Sequence, residues 1–303
     1  MNNNPKRILR ENGKTFYFAG LFLEKNILNK AARLYAFCRY IDDIADKSID
    51  NAISMKELGS ILKALESNES SNPRVMDFIH LKNETNIDIN AAQSLVLGAM
   101  SDLSHSQIKD TDSLIRYCYQ VAGTVGVMMC AILRIKDTNA HKFAIDLGMG
   151  MQLTNIARDI HEDSAINRLY IPKSWSQNIT IEKIKSKDTA ALIYIEDASK
   201  KLLSLADRYY ESGYSGLNHI PQRSRIAIEV AATVYQAIGT IIKSRQHNPF
   251  LGRAIVPYKH KVFYALKILL KQLYSRKNKD MLPQHNEGLH LPLNFSTNQE
   301  LND

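Results

Sequence analysis

The sequence is short of glycine and proline, with 13 and 8 in 303 residues. That removes the collagen-like and low-complexity classes, which depend on those residues. Cysteine is scarce too. Cys38, Cys118 and Cys130 lie in apolar segments without C-x-x-C spacing, which argues against a disulfide framework or a thiolate zinc knuckle; they read as free thiols of a reducing compartment. No apolar run approaches the roughly 20 residues that span a bilayer; the richest, Val121 to Leu133, contains glycine and threonine. The opening Met-Asn-Asn-Asn-Pro-Lys has no apolar core of a secretory signal, so the expected location is the cytoplasm. Strong strand alternation, solenoid-length repeats, a Gly-rich nucleotide fingerprint and a nucleic-acid recognition module are also missing.

What remains is the composition of a protein with a sizeable core, 45% apolar and 23% charged. Helical periodicity is visible over residues 27–45, 54–65, 90–103, 114–133, 188–212, 222–245 and 259–279. Every proline falls outside a predicted helix interior. The expected fold class is therefore all-α, a single helical domain over residues 1–280, followed by a polar tail, 281–303, without structure. The excess of 39 basic over 31 acidic residues, net +8, suits a polyanionic small substrate or an anionic lipid surface, and no nucleic-acid partner is expected.

The most informative stretch is 148–163, Gly-Met-Gly-Met-Gln-Leu-Thr-Asn-Ile-Ala-Arg-Asp-Ile-His-Glu-Asp. Gln152, Asn155, Asp159 and Asp163 recur at spacings of three and four and share one helical stripe, beside an apolar stripe of Leu153, Ile156 and Ile160. A similar stripe, Tyr35, Arg39, Asp42 and Asp46, lies among Leu34, Phe37, Cys38, Ile41 and Ile44. One such pair of acids would read as a solvated helical turn. Two pairs, each within a strongly apolar helix and each accompanied by arginine, read as a shared site for a hard cation and phosphate. The ion expected is Mg²⁺, with Mn²⁺ as the alternative. Arg39, Arg158, Arg168 and Arg253 can clamp phosphate oxygens with paired N–H donors. A departing diphosphate leaves a carbocation that water would quench, so an apolar, closed cavity is expected. Its candidate walls are Phe16, Phe18, Tyr35, Phe37 and the 114–133 helix, with Tyr117, Val121, Ala122, Gly123, Thr124 and Gly126.

Three features keep two readings each. Thr15 either caps a short helix or serves the site. The glycines inside 114–133 reflect either a close helix crossing or an apolar ligand against bare backbone. The basic helix at 259–279, with Val262, Leu266, Leu269 and Leu273 on one side and Lys261, Lys267, Lys271 and Lys277 elsewhere, is either solvated or a membrane-surface contact.

These segments resemble the squalene and phytoene synthase family. The resemblance rests on Lys14-Thr15-Phe16, on Leu34 to Asp46 and Tyr117 to Gly126, on Met151 to Asp163 with Arg168-Leu-Tyr-Ile-Pro172, and on Pro221 to Gly239 including Tyr235. It runs from about residue 12 to about 260. It implies an isoprenoid synthase bundle and a Mg²⁺-dependent head-to-head condensation of two prenyl diphosphates. Of the possible substrates it favours two geranylgeranyl diphosphates, giving phytoene by way of prephytoene diphosphate without NADPH. Two farnesyl diphosphates, giving presqualene diphosphate, dehydrosqualene or squalene, are the alternative. The resemblance assigns metal binding to Asp42, Asp46, Asn155, Asp159 and Asp163. It assigns contacts with diphosphate or the migrating cation to Thr15, Tyr35, Arg39, Gln152, Arg158 and Tyr235. Asn167 stands where the family usually has glycine, and His161 where an apolar or small residue is usual. A non-catalytic assembly relative should have lost some of the acids, and all are present. The hydrocarbon product implies transient contact with the inner face of the membrane; the sequence specifies no oligomeric state.

Overall fold

The computed structural model describes residues 4–47, 50–104, 107–274 and 283–293, and among them every regular element is helical. Helices α1 (Pro5–Asn12) and α2 (Lys14–Gly20) lead into α3 (Lys25–Asp46), α4 (Asn51–Ser67), α5 (Pro73–Thr85) and α6 (Ile89–Asp102). Next come α7 (Thr111–Cys118), a π-turn (Tyr119–Gly123), α8 (Thr124–Ile132), the long α9 (Asn139–Arg158) and the short α10 (Ile160–Ala165). The chain continues through α11 (Ile181–Lys185), α12 (Leu192–Ser215), α13 (Gln222–Ser244) and α14 (Tyr258–Tyr274). Side chains of Asp50, Asn72, Asp88 and Asp110 accept N–H bonds at the starts of α4 to α7, and Pro5 and Pro73 occupy first turns, where a missing N–H costs nothing. Helix α5 has no counterpart among the sequence-predicted helices, although its Asn72-Pro73 start is a capping signal.

Two apolar cores flank the middle of the molecule. One gathers α3 to α6 with Met128 and Ile132; the other joins α9, α12, α13 and α14. Helix α9 packs on α12, α8 and α13. The 114–133 segment is helical as expected, but the π-turn inserts one residue into it, a device frequent at functional sites. Its glycines serve a helix crossing. A Cβ on Gly126 would stand 2.2 Å from the Ala144 carbonyl oxygen, and one on Gly148 2.4 Å from that of Ala122, so α8 and α9 meet backbone to backbone.

Three expectations change. The basic helix is formed through Tyr274, and its predicted continuation, 275–279, lies outside the described residues. Its phase also differs: Lys261, Ala265 and Ile268 are buried while Phe263, Leu266 and Leu270 face outward. The tail was expected to lack structure, yet 283–293 are seated on the bundle, with Tyr209 Oη donating to Leu289 O (2.9 Å) and Arg116 Nη1 to Pro292 O (3.1 Å). Residues 281–282 and 294–303 lie outside the described residues. Finally, Thr111–Ile132 and Gln222–Ser244 are long and apolar enough to cross a membrane, which the interrupted runs concealed. Their length and hydropathy are compatible with peripheral membrane association, but about half of each segment is buried inside the bundle, as in core helices.

The α8/α9 crossing makes a prediction about stability. Gly126→Ala should cost about 1–3 kcal/mol in chemical denaturation, because the obstacle is backbone. Gly59→Ala, within α4 and with nothing within 4 Å of the new Cβ, should stabilise by about 0.5–1 kcal/mol.

Candidate active site

Helix α3 presents Tyr35, Arg39, Asp42 and Asp46 on one face because they recur every three or four residues; the opposite side, with Leu34, Phe37 and Ile41, is buried. The end of α9 brings Gln152, Asn155 and Arg158 to the same cavity. There the acidic helix breaks. Asp159 leaves the α-helical ladder at φ −102° and ψ 16°, and Glu162 and Asp163 ride on the separate helix α10. The exit loop then returns through Asn167, whose φ of 61° explains why a glycine or asparagine suits that position. Arg168 follows, reaching Asp46 of α3 in a short ion pair and standing 3.9 Å from Asp102 of α6.

The charges are crowded and buried. Burial, and then the neighbouring Asp46, push the Asp42 carboxyl up to about 7. Burial likewise lifts Asp102 to about 6 against the pull of Arg168, Tyr170 and Tyr117. Asp163 is raised well above the carboxylate range by burial and then by Asp159. Asp159 behaves oppositely. Its burial is outweighed by Arg158, whose Nε donates at 2.7 Å, and by Arg253, which donates from Nε (2.8 Å) and Nη2 (3.0 Å), so its carboxyl is held low. Arg39 pairs with Asp43 at 2.6 Å rather than with Asp42. The Asn155 Oδ1 and one Glu162 carboxylate oxygen are buried without a hydrogen-bond partner.

This donor set fits a hard divalent cation: it consists of oxygens, is short of positive charge around Asp42 and Asp163, which burial and neighbouring carboxylates drive toward protonation, and includes an unpaired amide oxygen. The acidic mouth opens on a cavity of about 630 Å³ that reaches Leu133, Phe143 and Leu217. Its upper wall is aromatic, with Phe16 stacked on Tyr235 (5.0 Å) and tilted against Tyr35 (6.2 Å). Burial raises both phenols, which stay protonated.

Most site residues expected from the sequence line this cavity: Phe16, Tyr35, Arg39, Asp42, Asp46, Tyr117, Val121, Gly126, Gln152, Asn155, Arg158, Asp159, Asp163, Arg168, Tyr235 and Arg253. Five others lie elsewhere, two of them, Gly123 and Thr124, buried within their helix rather than lining the cavity. Phe37 stacks on Phe78 at 3.8 Å inside the α3–α6 core, and Phe18 packs edge-on against Phe22 and Tyr258. The Thr15 hydroxyl accepts from Lys261 Nζ at 3.2 Å instead of facing the cavity. Sequence reasoning missed Asp102, Glu162 and Tyr170. Asp102 takes hydrogen bonds from Tyr170 Oη (3.0 Å) and Tyr117 Oη (3.2 Å). A lone carboxylate at the end of a helix gives no periodic signal; Glu162, one residue before Asp163, sits off the stripe.

A second cluster, Asp146 with His285 and His290, also has the composition and proximity to coordinate a divalent metal. It lies toward the other end of α9.

A mouth of carboxylates and arginines above a largely apolar cavity in an all-α bundle is the arrangement that handling a prenyl diphosphate requires. The chain belongs to the squalene/phytoene synthase family, which it matches over residues 9–260. It is 30% identical to a phytoene synthase of Pseudescherichia vulneris over 256 residues, 80% of this chain and 82% of that one. It is equally identical to a 15-cis-phytoene synthase of Enterobacter agglomerans over 237 residues, covering 75% and 80%. Among solved structures, a dehydrosqualene synthase in complex with ligand superposes with a TM-score of 0.75 at 23% identity, covering 89% of this chain and 96% of that one. A squalene synthase from Alicyclobacillus acidocaldarius gives 0.70 at 20% identity, covering 81% and 94%. The family is one of prenyltransferases, and its shared reaction is the head-to-head joining of two prenyl diphosphates.

Asp102 holds Tyr117, Tyr170 and Arg168 in place, so Asp102→Asn should lower kcat/KM by about 10- to 100-fold, as loss of an outer-shell partner does, with an unchanged melting temperature. Turnover equal to that of the unaltered chain would remove Asp102 from the site.

Proposed function

We propose that the chain condenses two geranylgeranyl diphosphates to phytoene, through prephytoene diphosphate and with release of pyrophosphate, dependent on Mg²⁺ and not on NADPH. The observation that carries this reading is the largely apolar cavity beneath the carboxylate mouth, in a chain 30% identical to phytoene synthases. Asp42, Asp46, Asn155 and Asp163 would hold the metal, with Asp159 a further ligand once its arginines engage phosphate. Bound there, Mg²⁺ supplies Lewis-acid stabilisation of the departing diphosphate.

The chain's own groups do the rest. Arg158, Arg168 and Arg253 carry planar sets of N–H donors that orient diphosphate oxygens, and Gln152 and Arg39 flank them. Tyr35, Tyr235 and Phe16 place ring faces beside the mouth, where they favour an allylic cation over a neutral chain. Deeper in, Leu133, Phe143, Leu147 and Leu217 exclude water from that cation.

We further infer a cytoplasmic enzyme that touches the inner face of the membrane. The loop carrying Arg253 exposes Leu251 and Ile255, and α14 exposes Tyr258, Phe263, Leu266 and Leu270 beside Lys259 and Lys267. An apolar face rimmed with lysine, next to the mouth, is what contact with anionic lipid requires.

Pure protein incubated with Mg²⁺ and geranylgeranyl diphosphate should yield a C40 hydrocarbon without NADPH; a C30 product from farnesyl diphosphate alone would overturn the chain-length reading. Asp42→Ala should lower turnover by at least about 100-fold while the far-ultraviolet circular dichroism is retained. Phe263→Asp combined with Leu266→Asp should weaken binding to vesicles containing phosphatidylglycerol by about tenfold or more. Unchanged binding would dismiss α14 as the contact.

A further inference from the structure

The C-terminal segment 283–293 is fastened to the bundle by three side chains that have no part in prenyl transfer. Asp146, on α9, is fully buried; its carboxylate accepts from His285 Nε2 at 2.8 Å and from His290 Nε2 at 2.7 Å. Ser212 Oγ of α12 donates to the same carboxylate. Along α9, at about 1.5 Å per residue, Asp146 lies about 20 Å from Asp159, so this cluster is separate from the diphosphate mouth.

We propose that Asp146, His285 and His290 form a structural metal site of the zinc type that staples the C-terminal segment across α9 and α12. Both imidazoles turn the same atom, Nε2, to the Asp146 carboxylate, one to each oxygen, and the candidate ligand atoms of the three residues lie within 4.8 Å of one another. Two nitrogens and one carboxylate suit Zn²⁺ and not Mg²⁺. His285 and His290 are separated by four residues, within the His-x₃₋₅-His range of zinc ligands. Around a tetrahedral ion at about 2.0–2.1 Å, neighbouring ligand atoms stand about 3.3 Å apart; the two imidazole–carboxylate separations, 2.7 and 2.8 Å, would open by about half an ångström. Three protein ligands leave one position for Ser212 Oγ or water.

A second carboxylate stands close behind the cluster. The Nδ1 of His285 has no hydrogen-bond partner, and Glu287 Oε1 stands 3.6 Å from it. That same oxygen accepts from Lys142 at 2.7 Å. A carboxylate beside the far nitrogen of a metal-binding imidazole is the usual device for fixing its tautomer. No lysine or arginine side chain pairs with the Asp146 carboxylate among the described residues; the cluster pairs it with histidines. Phe143, which lines the prenyl cavity, packs edge-on against the His285 ring at 5.4 Å, so the staple stands behind the cavity wall.

Untagged full-length protein, stripped with chelator and held in excess Mg²⁺, would be titrated with Co²⁺. One equivalent should give the visible absorption of a tetrahedral site, and Zn²⁺ should displace it. Zn²⁺ should also raise the melting temperature and slow amide exchange in 283–293. His290→Ala should weaken Co²⁺ binding at least tenfold, whereas Asp42→Ala should leave it unchanged. Absence of the Co²⁺ spectrum in the unaltered chain would overturn the proposal, as would a spectrum that survives His290→Ala or disappears in Asp42→Ala. Should His290→Ala fail to fold, the spectrum and exchange protection of the unaltered chain decide the matter. None of these readouts depends on prenyl transfer.

Discussion

The molecule depends on holding several carboxylates close together inside protein. Two unit charges 6 Å apart repel by about 3 kcal/mol at an effective dielectric near 20, and burial adds a desolvation cost to each. The chain meets this cost unevenly. Asp159 is neutralised by two guanidiniums and Asp46 by Arg168, while Asp42, Asp102 and Asp163 are driven toward their protonated forms. The remaining imbalance is electrostatic work that a divalent cation can relieve, so the region least favourable to the fold is also the one chemically most useful.

The helices are placed to create that region. Helix α3 comes from one core and α9 from the other, and only at the mouth do their acidic faces approach each other. Interrupting the second motif at Asp159 turns its carboxylate toward Arg253 and delivers Asp163 on a different axis. Arg168, near the start of the exit loop, then ties α3 to α6. The apolar cavity beneath inherits its shape from the same helices, so mouth and cavity cannot vary independently.

Much of this was legible in the sequence because it is periodic. Asp42 with Asp46, and Gln152 with Asn155, repeat at helical spacing within apolar helices, and spacing alone places them on inward faces. The break at Asp159 was not legible, since nothing between Ala157 and His161 is a helix breaker; tertiary ion pairing overrides local preference there. Asp102 and Lys261 reach their partners only through the fold. Lys261 shows how phase misleads: a lysine on a basic helix reads as solvated, yet α14 docks through it. The tail went unread for a related reason. His285 and His290 sit in a polar stretch with no apolar periodicity, and Asp146 lies within a helix read for its other end; only folding brings them together.

The π-turn at Tyr119–Gly123 lets α7 and α8 keep facing their neighbours although one residue has been added between them. Thr124, fully buried, donates its hydroxyl to the Gln120 carbonyl at 2.7 Å, so the loosened backbone is satisfied locally. The wall residues Val121 and Ala122 fall within this turn. A length change here would therefore alter the cavity surface without turning the flanking helices. In evolutionary terms the turn is an adjustable joint: the bore of the chamber can be retuned while the frame that carries the acidic mouth stays as it is.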